Sequence, residues 1–439
     1  MCEMFQTNIT LTNLNIFFNN FGDECSTLIG KMIKSNSCLS SLNIAGCKIG
    51  AGAKSIFKAL KSNCSITSLD ISRNDLTSDS VNSISEFISS SCSLTLLNIR
   101  SNRIEISKSL INSLKSNSTL KNLILSSNVI GGYLFNEMRA ISEVFGEYLK
   151  SNSTLTSLDI SENYTGFGDI SKSMFQALKY NHTLSTLLIR RNKLTIDHVK
   201  ILSESLQSNS TLTVLDLGDN KIGNDGVNYI LDSLHSNHTL TDLSIDWTFY
   251  ENTASICEFL KSNLSLKRFS IGINGIDNKA GKSIFESLQS NSTLLTLNLS
   301  GNNINDEGVK LISEIKLNSL STLELSYNMI TNEAATSIEK LIKLNSTLTK
   351  LSYGCKNPHA PITMPTYLKE LLKSNEIAMK ISLWPKSIHQ FPGQIQNILQ
   401  VLLIIFDQMR IPKDLSTHIL KHLLNLWANN SIFLLINDK

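Results

Sequence analysis

Proline is missing from the first 357 residues of the 439-residue chain; all six prolines stand at 358, 361, 365, 385, 392 and 412. A stacked parallel ladder uses every backbone donor, and proline has none, so the chain before 358 lacks the residue that would interrupt such a ladder. The cysteines, at 2, 25, 38, 47, 64, 92, 257 and 355, show neither a CxxC pair nor zinc-ligand spacing. That pattern gives no sign of a metal site or a disulfide framework, and reduced, cytosolic thiols are expected. Cys64 and Cys92 occupy equivalent places in adjacent repeats, so stacking can bring them close, and theirs is the disulfide to test.

Charge of one sign is also lacking. Lys plus Arg is 40 and Asp plus Glu 37. The eight basic and five acidic residues of 357–439 leave 32 of each sign for residues 1–356, which argues against a nucleic-acid binder or an acidic tail. The longest apolar run, around Ile398–Phe406, is too short to span a bilayer. MCEMFQTNIT has no basic flank and no continuous apolar core, so it does not read as a signal peptide. A soluble, cytoplasmic protein without membrane or nucleic-acid partners is the expectation, and nothing in the chain points to an oligomer, so a monomer is expected.

What is present is one phrase restated. SNSTL stands at 116–120, 151–155, 208–212 and 290–294, with SNHTL at 236–240 and LNSTL at 344–348. Aligned on LxxLxLxxN, the Asn position falls at 19, 47, 74, 102, 128, 163, 192, 220, 248, 274, 302 and 328. Most steps are 26 to 29 residues, and the step from 128 to 163 carries about seven more. The first half of each unit has apolar residues two apart, as Leu69 and Ile71, which predicts a short half-buried strand. The second half, as in AGAKSIFKALKSN, puts Ile56, Phe57 and Leu60 at helical spacing. The Asn amide both donates and accepts, so a stack of them forms a ladder; Cys47 and Thr248 in that column offer only part of such bonding. Gly52, Gly226 and Gly308 are expected to give the backbone freedom needed before each helix. The Ser-Asn pair after each helix suits its C-terminal end and the bend that follows. The sequons at Asn117, Asn152, Asn209 and Asn291 fall at that one repeat position and read as a structural motif, not glycan sites.

These residues resemble the leucine-rich repeat family, in its ribonuclease-inhibitor-like subtype. The resemblance implies an α/β solenoid of about 12 or 13 repeats over residues 11–356, shaped as a horseshoe with a parallel concave sheet and convex helices. A lead-in of 1–10 precedes it, and 357–439 is expected to be a small helical module, with a capping helix near Thr366–Lys373.

No active site or cofactor site stands out. GIDNKAGKS, 275–283, has five residues between its glycines where a phosphate loop has four, and aligns with an ordinary helix start. The two histidines of HILKH, 418–422, lack the glutamate of the zincin motif. The candidate function is therefore protein binding by a non-enzymatic scaffold. Residues beside the strand leucines face the concave side: Asp70, Asp159, Asp216, Asp242, Asp246 and Glu324, interleaved with Arg73, Arg100, Arg190, Arg191 and Arg268. Mixed signs suit a protein partner. DWTFYEN replaces the usual Asn turn with Trp247, Phe249 and Tyr250, either interface anchors or plugs for the gap left by the missing Asn. Tyr133 and Phe135 in the long unit, and Tyr164 and Phe167 in the next loop, are either binding residues or packing against a lengthened helix.

Two further resemblances compete. IPKDLSTHILKHL, Ile411–Leu423, resembles the opening of an F-box, which implies that Pro412 starts a helix whose Leu415, Ile419, Leu420 and Leu423 dock a Skp1-like adaptor of a ubiquitin ligase. Only 29 residues remain from Ile411, fewer than an F-box occupies, so a plain helical cap stands beside it. Ran GTPase-activating proteins resemble the same repeat subtype, which implies an arginine on a repeat loop; Arg73, Arg103 and Arg191 occupy such positions.

Overall fold

A computed structural model describes residues 8–130, 135–163, 167–248, 253–355 and 364–382. The chain falls into two compact units, Met1–Asn274 and Gly275–Lys439.

In the first unit, each repeat contributes a three-residue strand to one parallel sheet, from Asn13–Asn15 to Arg268–Ser270, with sequence neighbours paired throughout. The register is unbroken across repeats: Leu42 pairs with Leu69, Leu69 with Leu97, Leu97 with Leu123, and so on to Leu243 with Phe269. Every strand here has its central residue buried between two more exposed neighbours, the alternation expected when one sheet face is covered. A helix follows nearly every strand and packs on the next helix in sequence. Its apolar stripe closes the core: Ile56, Phe57 and Leu60 of Ala53–Leu60 are at most 1% exposed, and the Phe57 ring stands 5.7 Å from that of Phe87 in the helix Ser78–Ser90. Truncating one such strand leucine to alanine costs about 2–5 kcal/mol. The extra residues between Asn128 and Asn163 lengthen a helix, Phe135–Ser151, to 17 residues.

The second unit repeats the plan with strands Thr296–Asn298, Thr322–Asn328 and Lys350–Cys355, in parallel register Leu297–Leu323–Leu351. GIDNKAGKS opens the helix Asn278–Leu288, where the Asp277 carboxylate accepts from the Ala280 amide at 2.8 Å. A carboxylate thus caps the turn where a phosphate loop would hold an anion. The last helix among the described residues spans Thr366–Ser382. Pro412, Leu415, Ile419, Leu420, Leu423 and the HILKH histidines lie outside the described residues.

The amide ladder is present and buried. Asn74 donates Nδ2 to the Ile44 and Ile71 carbonyls at 2.8 and 3.0 Å, and its Oδ1 accepts from Cys47 N at 2.8 Å. Asn102, Asn128, Asn163, Asn192 and Asn220 each make the same bonds to the preceding repeat and to their own. Cys47 keeps thiol contacts to the Ile16 and Ala45 carbonyls, 3.2 and 3.5 Å, while Thr248 donates Oγ1 to the Ile245 carbonyl at 2.9 Å.

The Ser-Asn asparagines stand at helix ends and in the bends that follow, as expected, but with extended and not left-handed backbone: Asn36 sits at φ −89°, ψ 125° and Asn117 at φ −84°, ψ 131°. They act through their side chains and form a second buried ladder. Asn63 Oδ1 accepts from the Ser65 and Ile66 amides, both 3.0 Å, while Nδ2 donates to the Ile33 and Asn36 carbonyls of the preceding repeat, both 2.8 Å. Asn375, in the helix Thr366–Ser382, continues the column onto the Ile342, Asn345 and Leu348 carbonyls. The sequon asparagines 117, 152, 209 and 291 belong to this ladder and are 3–9% exposed, so their amides are committed to backbone groups.

The glycines before helices are also read differently. Gly52 has φ −62°, and Gly226 and Gly308 lie inside right-handed helical turns. The smallness of Gly226 and Gly308 matters instead, since a Cβ on Gly226 would meet Ile222 Cβ at 2.8 Å and one on Gly308 would meet Ile304 Cγ2 at 2.9 Å. Positive φ falls mostly on non-glycine residues flanking the Asn column. Finally, the sulfurs of Cys64 and Cys92 are bonded, with Cα atoms 5.7 Å apart, so reduced thiols throughout is not what the structure shows.

Candidate functional site

The carboxylates beside the strand leucines are not free face residues. Asp70, Asp159 and Asp216 each end a strand and accept a backbone N–H from two residues on, at 3.0, 2.9 and 2.8 Å. Asn43, Asn98 and Asn298 do the same at equivalent positions. An Asx turn therefore closes the strand in many repeats, a constraint that alternation alone does not reveal.

Arg190 lies between two of the candidate acids. Its Nη1 is 3.8 Å from Asp216 Oδ1 and 3.5 Å from Asp246 Oδ2. The guanidinium lies over Gly218, where a Cβ would come within 2.5 Å of Nη1 and would push the arginine tip aside. Asp246 Oδ1 also accepts from the Ser270 hydroxyl and the Gly272 amide, both 2.6 Å. Burial pushes the Asp216 carboxyl above its ordinary range, opposed by the Gly218 N–H and by Arg190. Arg268 pairs with Asp242. The charges expected to meet a partner thus largely neutralise one another across the strands. Further toward the N-terminus, Arg100 Nη2 meets Glu162 Oε1 at 2.8 Å, and Ser127 Oγ donates to Glu162 Oε2 at 2.6 Å.

Beside the sheet runs a column of left-handed residues, one before each Asn of the first ladder. In the first unit it includes Phe18, Arg73, Ser101, Glu162, Arg191, Asp219, Trp247 and Ile273, at φ between +51° and +60°. Each non-glycine residue there costs about 1 kcal/mol, yet the chain uses glycine in this unit's column only at Gly46. Trp247, at φ +51°, is 39% exposed, and Ile273 beside it in the column 45%. Thr248, fully buried, occupies the gap left by the missing Asn. The indole instead walls a cavity of about 500 Å³ lined by Arg191, Lys193, Leu194, Asp219, Asn220, Lys221 and itself. Arg191 Nε meets Asp219 Oδ2 at 3.0 Å. Three cations and one carboxylate give the rim a positive balance.

The structure thus brings together Trp247 and Arg191 at the cavity, and Arg190, Asp216 and Asp246 on the adjoining face. Lys193, Lys221 and Asp219 were missed: they flank the Asn column, but the residue types at those places vary from repeat to repeat. Phe249, Tyr250, Tyr133 and Tyr164 lie outside the described residues, as do the side chains of Phe135 and Phe167. Arg73 and Arg103 also take left-handed turns, at φ +56° and +54°. Among the described residues, no group of three or more His, Cys, Asp or Glu is placed to hold a metal ion. No described helix is long and apolar enough to cross a membrane.

The fold is that of a leucine-rich-repeat protein. Residues 7–24, 35–56, 62–85, 208–231, 290–313 and 316–338 match the family described as Leucine Rich repeat. Among curated proteins, the chain is similar to "Protein phosphatase 1 regulatory subunit 37 homolog" of Caenorhabditis briggsae, with 30% identity over 102 residues. That match spans 22% of this chain and about a tenth, 11%, of the relative's length. Among solved structures, the leucine-rich repeat-containing protein LegL7 from Legionella pneumophila aligns with TM-score 0.44 and 19% identity, over 66% of this chain and 93% of that one. The Rad7 and Elc1 complex in yeast aligns with TM-score 0.49 and 15% identity, over 78% of this chain and 82% of that one.

Proposed function

We propose that the chain is a non-enzymatic protein-interaction scaffold of the ribonuclease-inhibitor-like subtype. Its partner docks at the turn edge around Trp247 and Arg191, extending over the strand face at Arg190, Asp216 and Asp246. The observation carrying this reading is Trp247 itself: a large ring kept 39% exposed in a left-handed turn, beside a cavity with a positive balance. Such a ring fits an apolar anchor on the partner, and the flanking cations fit an acidic segment next to it. The similarity to a phosphatase regulatory subunit homologue is compatible with a role as a binding subunit.

The test is capture of partners from the native cell by the full chain, with Trp247→Ala and Arg191→Glu compared with the parent. Binding should weaken at least tenfold in each, about 1.4 kcal/mol or more, while thermal unfolding of Trp247→Ala stays within a few degrees. A collapse of folding in Trp247→Ala would make the ring a core residue and end the reading.

The ligase-adaptor reading rests on the Ile411–Leu423 string. Recovery of a Skp1-like adaptor, lost on Leu415→Asp with Ile419→Asp, is its test. An activator of a Ran-like GTPase would need an arginine to reach into its partner, and Arg191 would first have to leave Asp219.

A further inference from the structure

Between Asn8 and Asn263 the second amide ladder holds asparagine in every repeat except one, where Ser91 stands. Ser91 keeps half of the bonding, since its Oγ accepts from the Leu94 amide at 3.3 Å, as Asn63 Oδ1 accepts from the Ile66 amide at 3.0 Å. It has no Nδ2 to reach back to the preceding repeat. Asn237 reaches the Leu206 and Asn209 carbonyls, both 2.8 Å, and Asn209 reaches those of Leu178 and Asn181 at 2.7 and 3.3 Å. The same register sets the Leu60 and Asn63 carbonyls opposite position 91, which has no side-chain amide to offer them; the Leu60 carbonyl keeps the Asn63 backbone N–H at 3.1 Å. At this same junction the residues immediately following, Cys64 and Cys92, are joined through their sulfurs. The other described cysteines, at 25, 38, 47, 257 and 355, are free.

We propose that the Cys64–Cys92 bond is a redox-sensitive staple standing in for the missing amide, so that the joint between these two repeats is closed in the oxidised protein and loosened in the reduced one. Lost donor and covalent bridge are separate observations that coincide at one bend. Both cysteines are exposed, so a soluble reagent can reach them. A small-molecule disulfide supplies the oxidising power. One Cys thiolate attacks it and releases one thiol; the second thiolate attacks the resulting mixed disulfide and releases the other. Overall the two protein thiols give up two protons and two electrons, and the small disulfide becomes two thiols. Dithiothreitol reverses the exchange.

The experiment is hydrogen exchange on the full chain, equilibrated with glutathione disulfide or with dithiothreitol, the bond being read by the loss of two hydrogens in the intact mass. Reduction should speed exchange of the amides around residues 63–66 and 91–94 by ~10-fold or more, while the equivalent bend at Asn209–Leu212 is unchanged. The Cys64→Ser, Cys92→Ser double variant should behave as reduced protein under both conditions. Ser91→Asn, which restores the amide, should slow exchange at the bend in reduced protein. If reduction unfolds the chain outright, recovery of the melting transition by Ser91→Asn decides instead. Equal exchange with and without the bond, failure of Ser91→Asn to protect the reduced joint, or no bond formed under glutathione disulfide would each overturn the proposal.

Discussion

Asn192 offers a direct test of the ladder that holds the repeats in register. Its side chain is 1% exposed and makes three bonds: Nδ2 donates to the Ile160 and Ile189 carbonyls at 3.0 and 3.1 Å, and Oδ1 accepts from Asn163 N at 2.7 Å. Removing it does not orphan the carbonyls, because Asn163 Nδ2 also serves Ile160 at 2.7 Å and Asn220 Nδ2 serves Ile189 at 2.9 Å. The Asn163 N–H, in contrast, is left buried and unpaired. Asn192→Ala should therefore cost about 2–4 kcal/mol, from one orphaned donor at about 1–3 kcal/mol plus a small void. Asn192→Thr keeps the bond to the carbonyl three residues back, as Thr248 does naturally, and should cost about 1 kcal/mol less than Ala. Asn192→Asp keeps the acceptor but turns a second oxygen toward two carbonyls, a buried unpaired charge costing about 3–5 kcal/mol at neutral pH. That carboxyl's folded-state pKa is raised. Its protonated form can donate, so the Asp deficit is smallest below the ordinary aspartate value of about 3.9 and grows as pH rises through the raised value. Urea unfolding followed by circular dichroism at about pH 5 and about pH 8 reads the difference. Equal midpoints for Ala and Thr, or an Asp penalty that ignores pH, would refute the account.

Other expectations follow from the same geometry. Glu162 is held below the ordinary glutamate range, first by the Ser127 hydroxyl and then, against burial, by the Arg100 and Arg191 charges. Stability from this lowered group is present above about pH 4.3 and lost as pH falls through its folded value, so Glu162→Gln should flatten the acid limb of a melting-temperature profile. Gly226→Ala should lower stability by about 1–3 kcal/mol through the Ile222 clash, whereas Gly281→Ala, whose new Cβ meets Ile304 Cδ1 at 3.4 Å, should be neutral or gain up to about 1 kcal/mol; thermal melts compare them. Asn209→Gln should cost about 1–3 kcal/mol while Thr211→Ala, which destroys the same sequon, costs under about 1 kcal/mol; a glycan role would make the two alike.

The strand leucines and the first Asn column were legible because both recur at fixed spacing and their chemistry suits one environment. The Ser-Asn column was equally visible, and its place at helix ends and bends was legible; its bonding to the preceding repeat was not, because helix ending and inter-repeat bonding both favour asparagine. Asp70, Asp159 and Asp216 looked like free face residues because nothing in a one-strand pattern says that each carboxylate bends back onto its own chain. The cavity residues Lys193, Asp219 and Lys221 were hidden for a different reason. Their columns are defined by a backbone angle, not a residue type, so no side-chain period marks them. Trp247 stood out only by its size.

That left-handed column has an evolutionary consequence. Since unbranched side chains other than asparagine and aspartate meet a similar backbone penalty there, exchanging one of them for another shifts stability little. Mutations along this edge can redraw what the surface recognises while both internal asparagine columns stay intact. Paralogues sharing this skeleton should therefore diverge first in the residue just ahead of the buried amide.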